Sequence, residues 1–131
     1  HTLITMGDGS YKTAGRLNVG DEIKTKHENT LEQMNALVYE KKSSHSKRIK
    51  VFIGDKDIVV SPAHRFYVDN RSEFVAAENL KEGDILSGKD YIKTEEYEDG
   101  EVLQISVEKA HTYISNDILS HNTKGVDPYD S

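Results

Sequence analysis

Leu17-Asn18-Val19-Gly20-Asp21-Glu22-Ile23 and, 63 positions later, Leu80-Lys81-Glu82-Gly83-Asp84-Ile85-Leu86 are the two stretches whose reading decides the fold. Both carry Leu-x-x-Gly-Asp, and the same offset, without a gap, pairs Ala14 with Ala77, Tyr11 with Phe74 and Leu3 with Phe66. In each copy the glycine suits a tight turn at positive φ, and the aspartate can bond the local backbone. Chance recurrence of a short motif is the competing explanation, and the additional matches count against it. Two similar strand-rich units packed around one core are implied.

Outward from the repeat, glycine and proline separate short runs of alternating apolar and polar residues rich in β-branched side chains, which predicts a mostly β protein. The clearest predicted strands are Thr2 to Met6, Ile49 to Ile53, Asp57 to Val60, Arg65 to Val68, Val102 to Val107 and His111 to Ser115. Between Asn29 and Lys42, the spacing of Leu31, Met34, Leu37 and Val38 also fits one face of a helix, in competition with a strand ending in Ala36 to Glu40. The polar Lys41 to Arg48 and the highly charged Lys89 to Gly100 are expected to face solvent as loops or edge segments.

A chain of 131 residues, 35% of them hydrophobic, can build one core but not two ordinary domains. A net charge of -6 with no basic stripe argues against nucleic acid or an anionic membrane surface as partner. The sequence shows neither a bilayer-length apolar run nor a signal pattern, so a soluble protein of the cytoplasm is expected. The absence of cysteine removes disulfides and thiol chemistry from the chain as written. No cofactor and no metal are expected, and covalent chemistry would have to use oxygen or nitrogen nucleophiles.

The strongest candidate for such chemistry is His121-Asn122-Thr123, reached through a predicted hairpin turn at Asn116-Asp117 that would bring the segment around His111 beside His121. The Asn122 carboxamide nitrogen can close a five-membered ring on its own carbonyl carbon, expelling the amine of Thr123 and cutting the chain. The Thr123 hydroxyl can attack an acyl group, and its freed amine can afterwards reach that group through another five-membered ring. Proximity of this kind can contribute on the order of 7 to 11 kcal/mol. An amide is a weak nucleophile, so neighbouring histidines are needed to polarise the carbonyl and protonate the leaving nitrogen. A second candidate is Ser61-Pro62-Ala63-His64, where a hydroxyl and an imidazole at a strand junction can bond a peptide and weaken its planarity. His1, His27 and His45 match no role and are expected to be surface residues.

These residues carry a family resemblance. Thr2-Leu3-Ile4-Thr5-Met6-Gly7-Asp8-Gly9 with Leu17 and Gly20-Asp21-Glu22-Ile23 resembles the first splicing block of inteins. Ser61-Pro62-Ala63-His64 resembles the Thr-x-x-His block, with serine for threonine. Val102 to Glu108, then His111-Thr112-Tyr113, Asn116 and Ile118-Leu119-Ser120-His121-Asn122, resembles the two terminal blocks. The resemblance implies the all-β Hint fold, a horseshoe with pseudo-twofold symmetry, and a mini-intein with no room for a homing endonuclease.

It also implies roles. His64, assisted by Ser61, would destabilise the upstream scissile peptide; His111 and His121 would promote cyclisation of Asn122; Thr123 would be the downstream nucleophile. Residues 1–122 would be the splicing domain and 123–131 a remnant of the downstream flank. The partners are then the flanking polypeptides (exteins), or a complementary short N-terminal intein fragment. Two departures matter. The Cys or Ser that opens such domains would lie upstream of His1-Thr2, so the chain as written is expected to manage C-terminal cleavage at most unless complemented. The position usually held by a catalytic aspartate is Gln104. The expected activity is single-turnover autocatalytic splicing. The alternatives are a cleavage-only Hint or bacterial intein-like domain, or a passive β interaction module in which Ser61, His64, His111 and Asn122 would be coincidental.

Overall fold

Alternation of buried and exposed side chains every second residue, the signature of strands with one face on a core, runs through most of the chain. The computed structural model describes residues 2–121. Its strands are β1 (Leu3–Thr5), β2 (Tyr11–Thr13), β3 (Glu22–Lys26), β4 (Gln33–Ile53), β5 (Lys56–Val60), β6 (Arg65–Val68), β7 (Glu73–Ala76), β8 (Ile85–Leu86), β9 (Lys89–Val107), β10 (Thr112–Ser115) and β11 (Ile118–His121). One antiparallel sheet has the order β2-β1-β10-β11-β6-β7; the other runs β3-β4-β9-β8, with β5 also paired to β4. No helix among the described residues is long and apolar enough to cross a membrane. The core gathers Ile4, Leu17, Ile23, Phe66, Leu86, Ile105, Tyr113 and Ile118, all fully buried. Full burial of one such side chain stabilises by roughly 1.5 to 3 kcal/mol.

The predicted strands all form, Ile49 to Ile53 and Val102 to Val107 as the ends of the much longer β4 and β9 and the others within a residue or two at their ends, and the fold is all-β, as inferred from the sequence. Two alternatives are decided by strand pairing. The helical alternative over Asn29 to Lys42 is not realised: Gln33 to Val38 alternates, with Ala36 and Val38 buried and Leu37 exposed, and pairs with β3 from Lys26↔Gln33 to Glu22↔Leu37. A helix would have turned Leu37 and Val38 to one side; the waiting edge of β3 selects period two instead. Of the two forms expected for Lys41 to Arg48 and Lys89 to Gly100, the solvent-facing edge segment is realised and the loop is not. The two stretches pair as the middle of β4 and the start of β9, for example Ser43↔Leu103 and Ile49↔Glu96, while remaining largely exposed. Backbone pairing holds this segment as strand where neither face is covered.

The repeat is real in three dimensions, with one adjustment. Gly20 and Gly83 adopt φ of 96° and 95°, and 3-10 turns at Ala14–Arg16 and Ala77–Asn79 precede them. Asp21 Oδ2 accepts from Asn18 N at 2.9 Å, and Asp84 Oδ2 accepts from Lys81 N at 3.0 Å. In the hairpins the registers are Ile4↔Lys12 and Phe66↔Val75, so Ile4 rather than Leu3 is the counterpart of Phe66. The second hairpin turn is one residue longer. Burial agrees: Ile4 and Phe66 are both 0% exposed, whereas Leu3 is 39% exposed. The same shift makes Thr2 the counterpart of His64, and the carbonyls of these two accept from Ala14 N and Ala77 N respectively.

The halves meet at the β10–β11 hairpin. Asn116 and Asp117 have φ of 48° and 65°, the pair of left-handed residues that a two-residue hairpin of type I′ requires. Ile4 lies opposite Ser115 and Phe66 opposite Ser120. The two serine hydroxyls bond each other at 2.8 Å, so the pseudo-twofold relation passes between them.

Candidate functional site

Ser61 to His64 forms the corner between β5 and β6. His64 N donates to Ser61 O at 3.0 Å, closing the turn, while Glu78 N donates to Pro62 O at 3.0 Å and fastens the corner to the 3-10 turn at Ala77–Asn79. His64 is fully buried; its ring meets Phe66 edge-on at 4.7 Å and lies tilted to Tyr113 at 6.2 Å. The Ser61 and Tyr113 hydroxyls are buried with no hydrogen-bond partner among the described residues. Burial pushes the Tyr113 phenol up, so it stays protonated.

His121 ends β11 opposite Thr112, which puts it beside His111 as the hairpin predicted. His111 is exposed and sits at φ 58°. The His121 ring is largely buried between two charged groups: Nε2 is 2.6 Å from Glu28 Oε2, and Nδ1 is 3.0 Å from Arg65 Nη2. Phe74 meets the ring edge-on at 5.2 Å. Burial lowers the imidazole pKa, the Arg65 charge adds to that, and Glu28 opposes it; the net direction is down.

Glu28, Glu40, Gln104, His111 and His121 line one open cavity. A second, smaller one is lined by Ser61, Pro62, Ala63, Glu78 and again Gln104. Gln104 therefore stands between the Ser61 corner and the histidine pair, as a neutral amide that can bond but cannot supply a carboxylate. The structure thus brings Ser61, His64 and His111, on the connections leading into β6 and β10, close to the end of β11, where His121 lies. Asn122 and Thr123, and likewise His1, lie outside the described residues. No cluster of three or more acidic or histidine side chains placed to hold a metal occurs among the described residues.

Sequence reasoning overlooked Glu28 and Arg65, and it treated His27 as a plain surface residue. His27 is half-buried, and its Nδ1 accepts from Asn29 N at 3.1 Å, whereas His45 is exposed as expected. Nothing in the local pattern singles out Glu28. Arg65 had one available signal, its position directly after His64.

No protein-family model matches the sequence, and the curated proteins hold no significant match to it. Solved structures do. The crystal structure of a DnaB intein from Synechocystis sp. PCC 6803 superposes with a TM-score of 0.83 at 18% identity, over 93% of this chain and 94% of that one. A bacterial intein-like domain from Clostridium thermocellum gives 0.78 at 26% identity, over 92% and 94%. The gp41-1 intein gives 0.75 at 28% identity, also over 92% and 94%. With two antiparallel sheets, two related halves and neighbours of this kind, the protein is a structural relative of the inteins, built on their Hint fold.

Proposed function

We propose that this domain processes itself, cutting the peptide bond between Asn122 and Thr123 by cyclisation of Asn122 and, when a Cys or Ser nucleophile precedes it, splicing its flanks together. One observation supports this reading above the others. Pairing of β6 with β11 sets the Ser61–His64 corner, which leads into β6, next to the strand that ends at His121, far away in sequence, as a domain must that treats two scissile bonds in one place. In this reading Ser61 and His64 act on the upstream peptide. An upstream Cys or Ser displaces the peptide nitrogen to form a thioester or ester. Thr123 Oγ1 takes the acyl group, which gives a branched ester and divides one hard exchange into two easier ones. Asn122 Nδ2 then attacks its own carbonyl carbon in the site that His111 and His121 flank, the Thr123 amine leaves as it takes up a proton there, and that amine finally captures the acyl group as a peptide. Residues 123–131 are then flanking sequence, and the flanks, or a complementary N-terminal fragment, are the partners.

Intact-mass spectrometry tests the reading. Prolonged incubation is expected to release residues 123–131 and to leave a succinimide or its hydrolysis product on Asn122, and Asn122→Ala is expected to stop release. A cut elsewhere, or undiminished release from Asn122→Ala, rejects it. The likeness to a bacterial intein-like domain keeps cleavage without ligation as a second reading. With reporter flanks and an upstream Cys, a ligated product that disappears in Thr123→Ala distinguishes splicing from cleavage alone.

A further inference from the structure

Glu28 and Arg65 belong to none of the motifs read from the sequence, yet both reach the His121 ring. A guanidinium can only donate and a carboxylate can only accept. Contacts of 2.6 Å to Glu28 and 3.0 Å to Arg65 are therefore jointly satisfied by one state of the imidazole. Nε2 carries the proton and donates it to Glu28, while Nδ1 keeps its lone pair and accepts from Arg65. A second proton would have to enter at Nδ1, against the guanidinium.

Both partners are held firmly. With Phe66 opposite Ser120 in antiparallel pairing, the neighbouring Arg65 falls opposite His121, so the strand register itself delivers the guanidinium. Glu28 sits on the connection after β3, which is tied to the chain on either side of His111. Glu28 N donates to Ala110 O at 3.2 Å, the Thr25 and Thr112 hydroxyls bond at 2.7 Å, and Thr112 Oγ1 donates to Lys26 O. The other titratable groups around the ring are His111 from the segment before β10 and Tyr39 and Glu40 from β4; the face toward β7 is closed by Phe74.

We propose that Glu28 and Arg65 are positioning residues that hold His121 as the neutral Nε2–H imidazole, so that it enters the downstream step as an oriented, uncharged ring with both nitrogens engaged, and not as a cation. The inference rests on the reading of Asn122–Thr123 as the cleaved bond, but its direct test does not. In uncleavable, isotope-labelled Asn122→Ala protein, long-range proton–nitrogen spectra at pH 7 should show a protonated Nε2 and a pyridine-like Nδ1. A proton on Nδ1, or on both nitrogens, overturns the proposal. In the same background Arg65→Met should raise the His121 titration midpoint and Glu28→Gln should lower it, with Arg65→Lys close to the parent and circular dichroism verifying the fold. A midpoint unmoved by a folded Arg65→Met also overturns it. In the cleavable chain, a working form that is neutral places the acid limb of the rate at the His121 titration, so Arg65→Met should move that limb to higher pH. Failure of the cleavage reading looks different: residues 123–131 stay attached while the tautomer is as stated.

Discussion

The first half of the molecule places Thr2 and Leu3 before Ile4, opposite Asn116; the second half places His64 and Arg65 before Phe66, opposite His121. These are equivalent positions, related by the hairpin registers and by the Ser115–Ser120 contact. In the first half the side chain opposite the strand serves the backbone: Asn116 Oδ1 accepts from Leu3 N at 2.8 Å, and its Nδ2 donates to Asp57 O at 2.7 Å. In the second half the same place holds an imidazole between a carboxylate and a guanidinium. One scaffold has thus been used twice, once to close a turn and once to orient a titratable ring. Duplicated architecture places side chains; it does not say which of them will carry chemistry.

The sharpest way to break this comparison is to remove the histidine that the first half lacks. With an upstream nucleophile supplied, His64→Ala is expected to slow upstream thioester formation by about 100-fold or more, within the range of general acid–base effects. Because His64 is buried against Phe66 and Tyr113, the substitution also leaves a cavity. The rate must therefore be read on protein shown by circular dichroism to be folded. An unchanged rate would make His64 a packing residue like its counterpart Thr2.

The two Gly-Asp turns permit a stability comparison. Asp84 is 2% exposed and grips Arg71 through two bonds of 2.9 and 2.7 Å. Asp21 is more open and meets Lys12 at 2.9 Å. Arg71 keeps 23% of its side chain exposed and can return its charge to water, so losing the buried carboxylate should cost about 1 to 3 kcal/mol, mainly its hydrogen bonds, whereas the more open Asp21 pair is worth about 1 kcal/mol at most. Urea unfolding of Asp84→Ala and Asp21→Ala should show that asymmetry, and equal losses would mean that the halves are braced alike.

The smallest effect is expected where the halves are the same. Gly20 and Gly83 share their left-handed φ, and an added Cβ at either would meet nothing within 4 Å. Only backbone strain remains, about 1 kcal/mol for a single alanine in that region. Gly20→Ala and Gly83→Ala should lower the unfolding midpoint equally, and a difference between them would show that the apparent symmetry ends at the turns.

Much of this was legible in the residues themselves. Period-two alternation marks strands wherever one face is buried, glycine followed by aspartate marks the paired turns, and Asn116-Asp117 marks a type I′ hairpin, because each of these is a local consequence of backbone sterics. The four motif residues that fall in the described part, Ser61, His64, His111 and His121, could be named for their chemistry and their order along the chain. Other features could not be read that way. Leu31 to Val38 supports two periodicities, and only the edge of β3 chooses between them. Lys41 to Arg48 has the composition of a loop, and only β9 makes it a strand. The one-residue offset between the hairpins is invisible without the registers. Glu28 and Arg65 become neighbours of His121 through strand pairing and a tied connection, interactions between residues 93 and 56 positions apart. The sequence by itself determined most of the strands, the turns, the duplicated plan and the residue types proposed to cut the chain at asparagine, since those follow from local geometry and functional groups. The protonation state of the histidine beside that asparagine was decided only by the tertiary structure, because it is set by charges that folding alone brings within hydrogen-bond distance.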